Sequence, residues 1–390
     1  MNLIEPILAD AAAITALRRD LHAHPELCYE ETRTADVVAK CLADWGIPVH
    51  RGLGKTGVVG IVKNGSSTRA VGLRADMDAL PMTEHNTFAH ASKHAGKMHA
   101  CGHDGHTAIL MSVARILAER RESLAGNVVL AFQPAEERPP GGALGMIADG
   151  AMDDPKVDAV FGLHLTGAPV GTVSARGGAS ASAADSFRAT ILGVGGHGAR
   201  PQAAVDPVLI AAHVVTALHS IVSRNVDPLQ AAVITVGSIQ AGTVPNVIPP
   251  TATMSATVRS FDEGVRKRLR ERIEETVVGI ARAFGGDATV EYSLGYPVLV
   301  NDEDMAEFVR SVAHEVVGPE KTIVRPPTMA SEDVGYFISR AKGCYFNLGV
   351  LNEAKGFTVT NHNPGFDIDE DALPVGVEML VRIVERYLNG

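Results

Sequence analysis

The chain has 390 residues, more than a single hydrophobic core usually supports, so we expect two domains. Hydrophobic residues make up 46% of it and charged residues 21%, which is typical of a soluble globular protein. The formal net charge is -10 and no basic run is present, which argues against DNA or another polyanion as a partner.

The N-terminus and the cysteines lead to an expectation about location. Residues 1–6 lack the basic stretch and the long apolar run of a signal peptide. No run of about 18 apolar residues is present, so we expect no membrane span. Four cysteines in 390 residues are too few for a disulfide framework. A reducing, cytoplasmic compartment is therefore the simplest expectation.

Helices and strands alternate through the first part of the chain. The periodicity of apolar residues predicts helices over residues 4–21, 32–45, 106–121 and 142–149. Apolar strands are predicted over residues 58–62, 70–74, 127–132 and 157–163. This alternation predicts an α/β domain, doubly wound on a mixed, mostly parallel sheet.

The pattern changes at the small, flexible residues 177–182. The next elements have the order βαββαβ, which predicts an inserted ferredoxin-like α+β domain. Its strands are predicted over residues 187–193, 231–239, 251–259 and 288–292, with helices over 206–223 and 263–283. The chain then returns with a helix over 303–316, a strand over 344–348 and a helix over 370–388. We therefore expect a catalytic domain of residues 1–180 and 296–390, and an insert of residues 181–295.

Residues of the types that bind metals are concentrated in five short segments. They are RADMDALP (74–81), MHACGHDGH (98–106), QPAEE (133–137), GLH (162–164) and NHNPGFD (361–367). Three of these segments begin where a predicted strand stops. Because ligands of an open α/β sheet bind beyond the carboxyl ends of its strands, the segments are expected to meet in space.

The donors in these segments favour a transition-metal site. They are the thiolate, imidazole and carboxylate groups of Cys101, His103, Glu137, His164 and His362. Such a mixed set suits Zn, Mn, Co, Ni or Fe, whereas Mg and Ca prefer oxygen ligands. A single catalytic metal typically has about three protein ligands, so five donors indicate two metals that share a bridging group.

Carboxylates beside the donors have predicted roles of their own. Glu136 adjoins Glu137, so it is placed to accept a proton from the nucleophilic water and pass it to the leaving amine. Asp76, Asp78 and Asp104 are candidates to orient ligating imidazoles by hydrogen bonds. For the first two, a simple turn at a strand end explains the sequence nearly as well.

Two other classes of function remain open from these residues alone. A thiol enzyme with Cys101 as nucleophile and His103 as base would survive a chelator and be inactivated by iodoacetamide. A metal-binding module without catalysis would have no need of Glu136.

The motifs, in this order, resemble those of a known family. The chain is similar to the aminoacylase/carboxypeptidase superfamily of dinuclear metallopeptidases, and most similar to its amidohydrolase branch, which contains hippurate hydrolase and the plant auxin-conjugate hydrolases. The resemblance covers residues 20–369. It rests on RADMDALP, MHACGHDGHTA, PAEE, GLH, GGHGARPQAAVDP, AGTVPNVIP, ASED and NHNPGFD.

The resemblance implies roles for particular residues. Two divalent ions (Mn, Zn, Ni or Co) would be bound by the five donors, with Cys101 bridging and Glu136 as base. The insert would be a lid and dimerisation domain, so a homodimer or tetramer is expected. His197 is similar to a lid histidine that stabilises the oxyanion. Asn246 and Arg259 match positions that hold the substrate carboxylate, although a loop turn and a strand-edge charge would also explain them.

The implied reaction is hydrolysis of small N-acyl amino acids to a carboxylic acid and a free amino acid. A dipeptidase or carboxypeptidase, or an N-acetyl-diaminopimelate deacetylase, is the alternative on the same scaffold. The sequence departs from the family after Glu137, where Arg138, Pro139 and Pro140 stand in place of the usual glycine. This change stiffens the loop and is expected to alter the acyl pocket.

Overall fold

The computed structural model describes residues 5–65 and 67–390. The predicted start of the first helix, Ile4, lies outside these residues. The chain divides into two compact units. Unit 1 comprises the described residues up to Gly178, with Val300–Pro326 and Asp333–Gly390, and unit 2 comprises Ala179–Leu299 and Pro327–Glu332.

The helices of the described chain are α1 (Glu5–Ala23), α2 (Thr32–Asp44), α3 (His103–Glu119), α4 (Ala143–Ala148), α5 (Pro207–Asn225), α6 (Glu263–Ala283), α7 (Glu303–Val316), α8 (Val334–Arg340) and α9 (Ala372–Asn389). The strands are β1 (Val49–Leu53), β2 (Gly57–Val62), β3 (Ala70–Asp76), β4 (Asn127–Gln133), β5 (Ala159–Pro169), β6 (Val173–Ser174), β7 (Gly178–Ala181), β8 (Ala183–Leu192), β9 (Gly196–His197), β10 (Ala232–Ala241), β11 (Val247–Ile248), β12 (Thr251–Ser260), β13 (Asp287–Tyr296), β14 (Leu299–Asn301), β15 (Thr322–Ile323) and β16 (Lys342–Leu351).

Unit 1 is built on an eight-stranded mixed sheet in the order β1-β2-β4-β3-β5-β16-β6-β15. In its centre, the neighbouring pairs β4–β3, β3–β5 and β5–β16 are parallel, whereas β2 and β6 run antiparallel to β4 and β16. Every residue of β2, β3 and β4 is buried, as expected for strands covered on both faces. In β2, Val58 and Val62 pack into one core, whereas Val59 and Ile61 pack into the other. The predicted doubly wound α/β architecture is therefore confirmed.

Strand ends set the position of the loops that follow them. The parallel register of β3 and β4 pairs Asp76 with Gln133, so the loops after both strands leave the sheet side by side. The strand expected to stop at residue 163 instead runs to Pro169, because it stays paired with β16 along this length. The expectation that His164 follows a strand end is thus wrong, and this residue lies inside β5.

Unit 2 contains a four-stranded sheet in the order β10-β12-β8-β13, with each neighbouring pair antiparallel. Its elements follow the order β8-α5-β10-β12-α6-β13, so the ferredoxin-like prediction is confirmed. Alternate residues Phe187, Ala189 and Ile191 of β8 are buried beneath α5 and α6. Asp206 and Asp262 cap these two helices by accepting hydrogen bonds from backbone N–H groups of the first turn.

Helix α5 is long and apolar enough to cross a membrane when judged by length and composition alone. We expected no such segment. Its side chains Ile210, Val214 and Leu218 are buried in the core of unit 2. One helix of this kind is weak evidence for a membrane span.

Candidate metal centre

The five predicted metal donors converge in unit 1 although they come from four separate parts of the chain. Cys101 Sγ lies 3.4 Å from His164 Nε2 and 3.3 Å from His362 Nε2. Glu137 Oε1 lies 3.3 Å from His362 Nε2 and 3.9 Å from His103 Nε2. The donors form two triads, Cys101–His103–His164 and Cys101–Glu137–His362, and the ligand atoms of each lie within 4.8 Å of one another. Cys101 belongs to both triads.

Two buried atoms of this cluster indicate that it suits a cation. His103 Nε2 and Glu137 Oε1 are shielded from solvent and make no hydrogen bond within the described residues. Buried polar groups are nearly always hydrogen-bonded, so such orphaned atoms call for an explanation. A divalent ion at each triad would give both atoms a partner. The mixed sulfur, nitrogen and oxygen donors fit the transition metals expected from the sequence.

Two histidines have their tautomers fixed by backbone carbonyl groups. His103 Nδ1 donates to the carbonyl oxygen of Asp78 at 2.9 Å, and His164 Nδ1 donates to that of Leu165 at 2.7 Å. In each ring, Nε2 is therefore the atom that faces the cluster. A hydrogen bond at one ring nitrogen is the usual way in which a protein orients a ligating imidazole.

The protonation of these histidines follows from their surroundings. Burial lowers the pKa of His164 well below its usual value, which favours the neutral form that binds metals. Burial also disfavours protonation of His103, but the carboxylates of Asp76 and Asp78 outweigh it and raise the pKa to about 10. The Glu137 carboxylate raises the pKa of His362.

The α3 N-terminus places two donors with the help of a glycine. Gly102 has a φ of 92°, a left-handed conformation that favours glycine, and it joins Cys101 to the first residue of the helix, His103. His362 has a φ of 60° without being a glycine, so its backbone is strained. Its N–H donates to the carbonyl oxygen of Ala100 at 2.7 Å, which ties this strained residue to the segment before Cys101.

The loop after β4 carries the predicted base. Glu136 is buried, and its Oε2 lies 4.0 Å from His103 Nε2. The Asp78 carboxylate accepts the backbone N–H of Glu136 and that of Glu137, each at 2.9 Å. Asp78 therefore fixes the loop backbone as well as contributing a carbonyl oxygen to His103.

The other two predicted orienting carboxylates have different partners. Asp76 Oδ1 lies 2.6 Å from His106 Nδ1, whereas its other oxygen lies 3.7 Å from His103 Nε2. The Asp104 carboxylate binds Arg18 at 2.7 Å and His22 at 2.8 Å. Asp104 thus belongs to a buried ion-pair network at α1.

Sequence reasoning assigned no role to His106 and Asn361. His106 Nδ1 donates to Asp76, and its Nε2 accepts the N–H of Leu165 at 2.8 Å, so both ring nitrogens are occupied. Asn361 Nδ2 donates to the carbonyl oxygens of Cys101, at 2.9 Å, and Leu165, at 3.0 Å. These two side chains hold the donor segments together without offering a ligand atom.

The remaining predicted site residues, His197, Asn246 and Arg259, lie in unit 2. His197 is exposed on β9, and its Nδ1 accepts the N–H of Ala199 at 3.0 Å. Asn246 lies beside it, because its carbonyl oxygen accepts the N–H of Gly198 at 2.8 Å. Arg259 lies on β12, where its guanidinium donates to Ser331 Oγ at 3.2 Å and burial lowers its pKa. Their roles in oxyanion and carboxylate binding stay predictions.

Comparison with known proteins identifies the family. Residues 72–386 match the model of peptidase family M20/M25/M40, which is most of the chain. The chain belongs to this family. The prediction made from the motifs is therefore confirmed.

Named relatives and a solved structure show which members of the family this chain is similar to. It is 40% identical to the N-acetyl-L-cysteine deacetylase of Bacillus subtilis, over 97% of this chain and 88% of the relative. It is 38% identical to the hippurate hydrolase of Campylobacter jejuni, over 100% of both chains. The fold matches that of a dinuclear metal-binding peptidase of family M20 from Bacillus subtilis, with a TM-score of 0.85, 30% identity and coverage of 98% and 99%.

Proposed function

We propose that the chain is a metal-dependent hydrolase that cleaves the amide bond of small N-acyl amino acids. The observation that carries this proposal is the convergence of four donor side chains on a fifth, Cys101, with the buried Glu136 carboxylate beside them. The relatives named an N-acetyl-L-cysteine deacetylase and a hippurate hydrolase support an acyl amino acid as the substrate.

The two triads are the proposed ligand sets of two divalent ions, of Mn, Zn, Ni or Co, with Cys101 shared between them. The dinuclear metal-binding peptidase with the same fold supports two metal ions. When bound, such ions polarise a carbonyl group and make water a stronger acid at neutral pH. His103 and His164 supply Nε2, since their Nδ1 atoms are held by backbone carbonyl groups.

Glu136 is the proposed general base. Its carboxylate would accept a proton from the water that attacks the amide carbonyl, and would then donate this proton to the nitrogen of the breaking C–N bond. The products are a carboxylic acid and a free amino acid. Because Asp78 anchors the N–H of Glu136 and that of Glu137, the base and the ligand that follows it keep a fixed separation.

A substrate screen with reconstituted protein tests this function. After removal of metals by a chelator, Mn, Co, Ni or Zn is added back and turnover of benzoyl, acetyl and indoleacetyl amino acids is measured beside dipeptides and N-acetyl-diaminopimelate. We expect activity only after metal is restored. Activity on dipeptides alone would favour the peptidase alternative, and activity that survives chelation but not iodoacetamide would favour a thiol enzyme.

Neighbouring substitutions separate the base from the ligand. Glu136→Gln should lower kcat by roughly 10²- to 10⁴-fold while the protein keeps its full metal content. Glu137→Gln should instead lose bound metal, as measured by elemental analysis. Undiminished turnover by the metal-loaded Glu136→Gln protein would refute the assignment of the base.

A further inference from the structure

Three consecutive backbone N–H groups of the loop that carries Glu136 donate to buried carboxylates. The N–H of Ala135 donates to Glu31 Oε1 at 2.8 Å. Those of Glu136 and Glu137 donate to the two oxygens of Asp78, each at 2.9 Å. Fixing three successive peptide groups leaves this stretch of backbone little freedom. The position of the Glu136 side chain therefore depends on Glu31 as well as on Asp78.

The residue that Glu31 holds is in a strained conformation. Ala135 has a φ of 53°, in the left-handed region, and its side chain is fully buried. A non-glycine residue persists in this region only where its surroundings hold it there, and such residues are concentrated at functional sites. The bond from the Ala135 N–H to Glu31 is one of the contacts that hold it.

The position of Glu31 argues that its carboxylate has a specific task. Glu31 stands at the N-cap of α2, but its side chain makes no capping hydrogen bond. The carboxylate is fully buried and accepts hydrogen bonds from Ala135 N–H and, at 2.5 Å, from Thr56 Oγ1. Burying a polar acceptor is costly, so an apolar side chain would serve mere packing better.

A second contact from the same segment reaches the far end of the loop. Tyr29 donates its hydroxyl hydrogen to the carbonyl oxygen of Gly141 at 3.0 Å. The segment before α2 therefore holds the loop after β4 on both sides of Glu136.

We propose that Glu31 is a positioning residue that keeps the Glu136 carboxylate in place for proton transfer by fixing the backbone at Ala135. This inference rests on the proposed function, because it acts through Glu136 as the base. Glu31 itself touches neither the substrate nor the metal ligands in this scheme.

Three variants and one matched control test the proposal in metal-reconstituted protein. Glu31→Ala removes the acceptor, and we expect kcat to fall roughly 10- to 100-fold with KM little changed, as for a small misplacement of a catalytic group. Glu31→Gln should restore most of kcat, since its carbonyl oxygen can accept from Ala135 and its amide can donate to Thr56. Thr56→Val should give a smaller loss in kcat. The control is Glu30→Gln, because Glu30 is exposed and binds Lys97 at 2.7 Å, and it should behave as the wild type.

A merely structural role for Glu31 predicts a different result. In that case Glu31→Ala would lower the stability of the protein, or it would change KM together with kcat. Glutamine would not rescue either effect. A folded, metal-loaded Glu31→Ala protein with wild-type kcat overturns the proposal. Should Glu31→Ala not fold, Thr56→Val decides the matter, since wild-type kcat in that variant also overturns it.

Amide hydrogen exchange provides a readout that does not depend on activity. If Glu31 fixes Ala135, the peptide covering residues 133–137 exchanges faster in Glu31→Ala than in Glu30→Gln. Equal exchange in these two proteins rejects the positioning role. Lack of turnover of every N-acyl amino acid by the wild-type enzyme would instead reject the proposed function, and the exchange result for Glu31 would still stand.

Discussion

Asn361 offers a sharp test of how the donor cluster is held together. Its carboxamide donates to the carbonyl oxygens of Cys101 and Leu165, at 2.9 and 3.0 Å. Replacing Asn361 with leucine keeps the branched shape of the side chain and removes both donors. A hydrogen bond contributes about 1 kcal/mol net, so the loss of two amounts to about 2 kcal/mol. This corresponds to a roughly 30-fold weaker metal affinity, within the 10- to 100-fold typical of residues that orient metal ligands.

The affinity is measured by competition with a chromophoric chelator, and circular dichroism verifies that the variant is folded. Asn363→Leu is the matched control, two residues away and exposed, where the side chain accepts a local hydrogen bond from the N–H of Gly365 at 3.0 Å. The control should bind metal as the wild type does. Equal affinities of the two variants would refute the idea that Asn361 joins the donor segments.

Two further predictions concern protonation and stability. The affinity of the metal-free protein for added metal should rise with pH. The cation must displace the proton that a pKa of about 10 keeps on His103. Titration calorimetry in buffers of different ionisation enthalpy counts the released protons, and an affinity that does not vary with pH would contradict this. Arg18→Met removes the guanidinium that pairs with the buried Asp104 carboxylate and should cost about 3–5 kcal/mol in chemical denaturation. The control is Arg19→Met, because Arg19 is half-exposed, and it should lose less than about 1 kcal/mol of unfolding free energy. Equal losses in the two variants would count against a stabilising role of the buried network.

The sequence predicts the architecture where burial imposes a clear pattern. Strands such as β2 are apolar throughout, and α6 and α7 begin at an acidic cap, so their positions follow from residue type. The edge strand β1 (VHRGL) is mostly exposed and has no apolar run, so no strand was predicted there. The end of β5 was misplaced because pairing with β16, a contact between distant segments, extends the strand beyond its apolar part.

The site was predictable to the extent that residue type distinguishes a ligand. Cys101 and its neighbouring histidines form an unusual set of donors, and the sequence alone identifies this segment. His106 is of the same residue type as His103, and only the three-dimensional contacts show that both of its ring nitrogens are occupied. Glu31 precedes a helix as many surface glutamates do, and its sequence context gives no sign that it reaches Ala135.

The contacts that arrange the donors are made largely by backbone groups. Carbonyl oxygens of Asp78 and Leu165 fix the two imidazole tautomers, and the N–H of His362 binds the carbonyl oxygen of Ala100. A carbonyl oxygen is present at every position, so no residue type marks the ones that matter. This explains why a motif identifies which side chains could bind a metal but not how they are oriented. It also follows that substitutions which shift these carbonyl groups should weaken the site even when every ligand is retained.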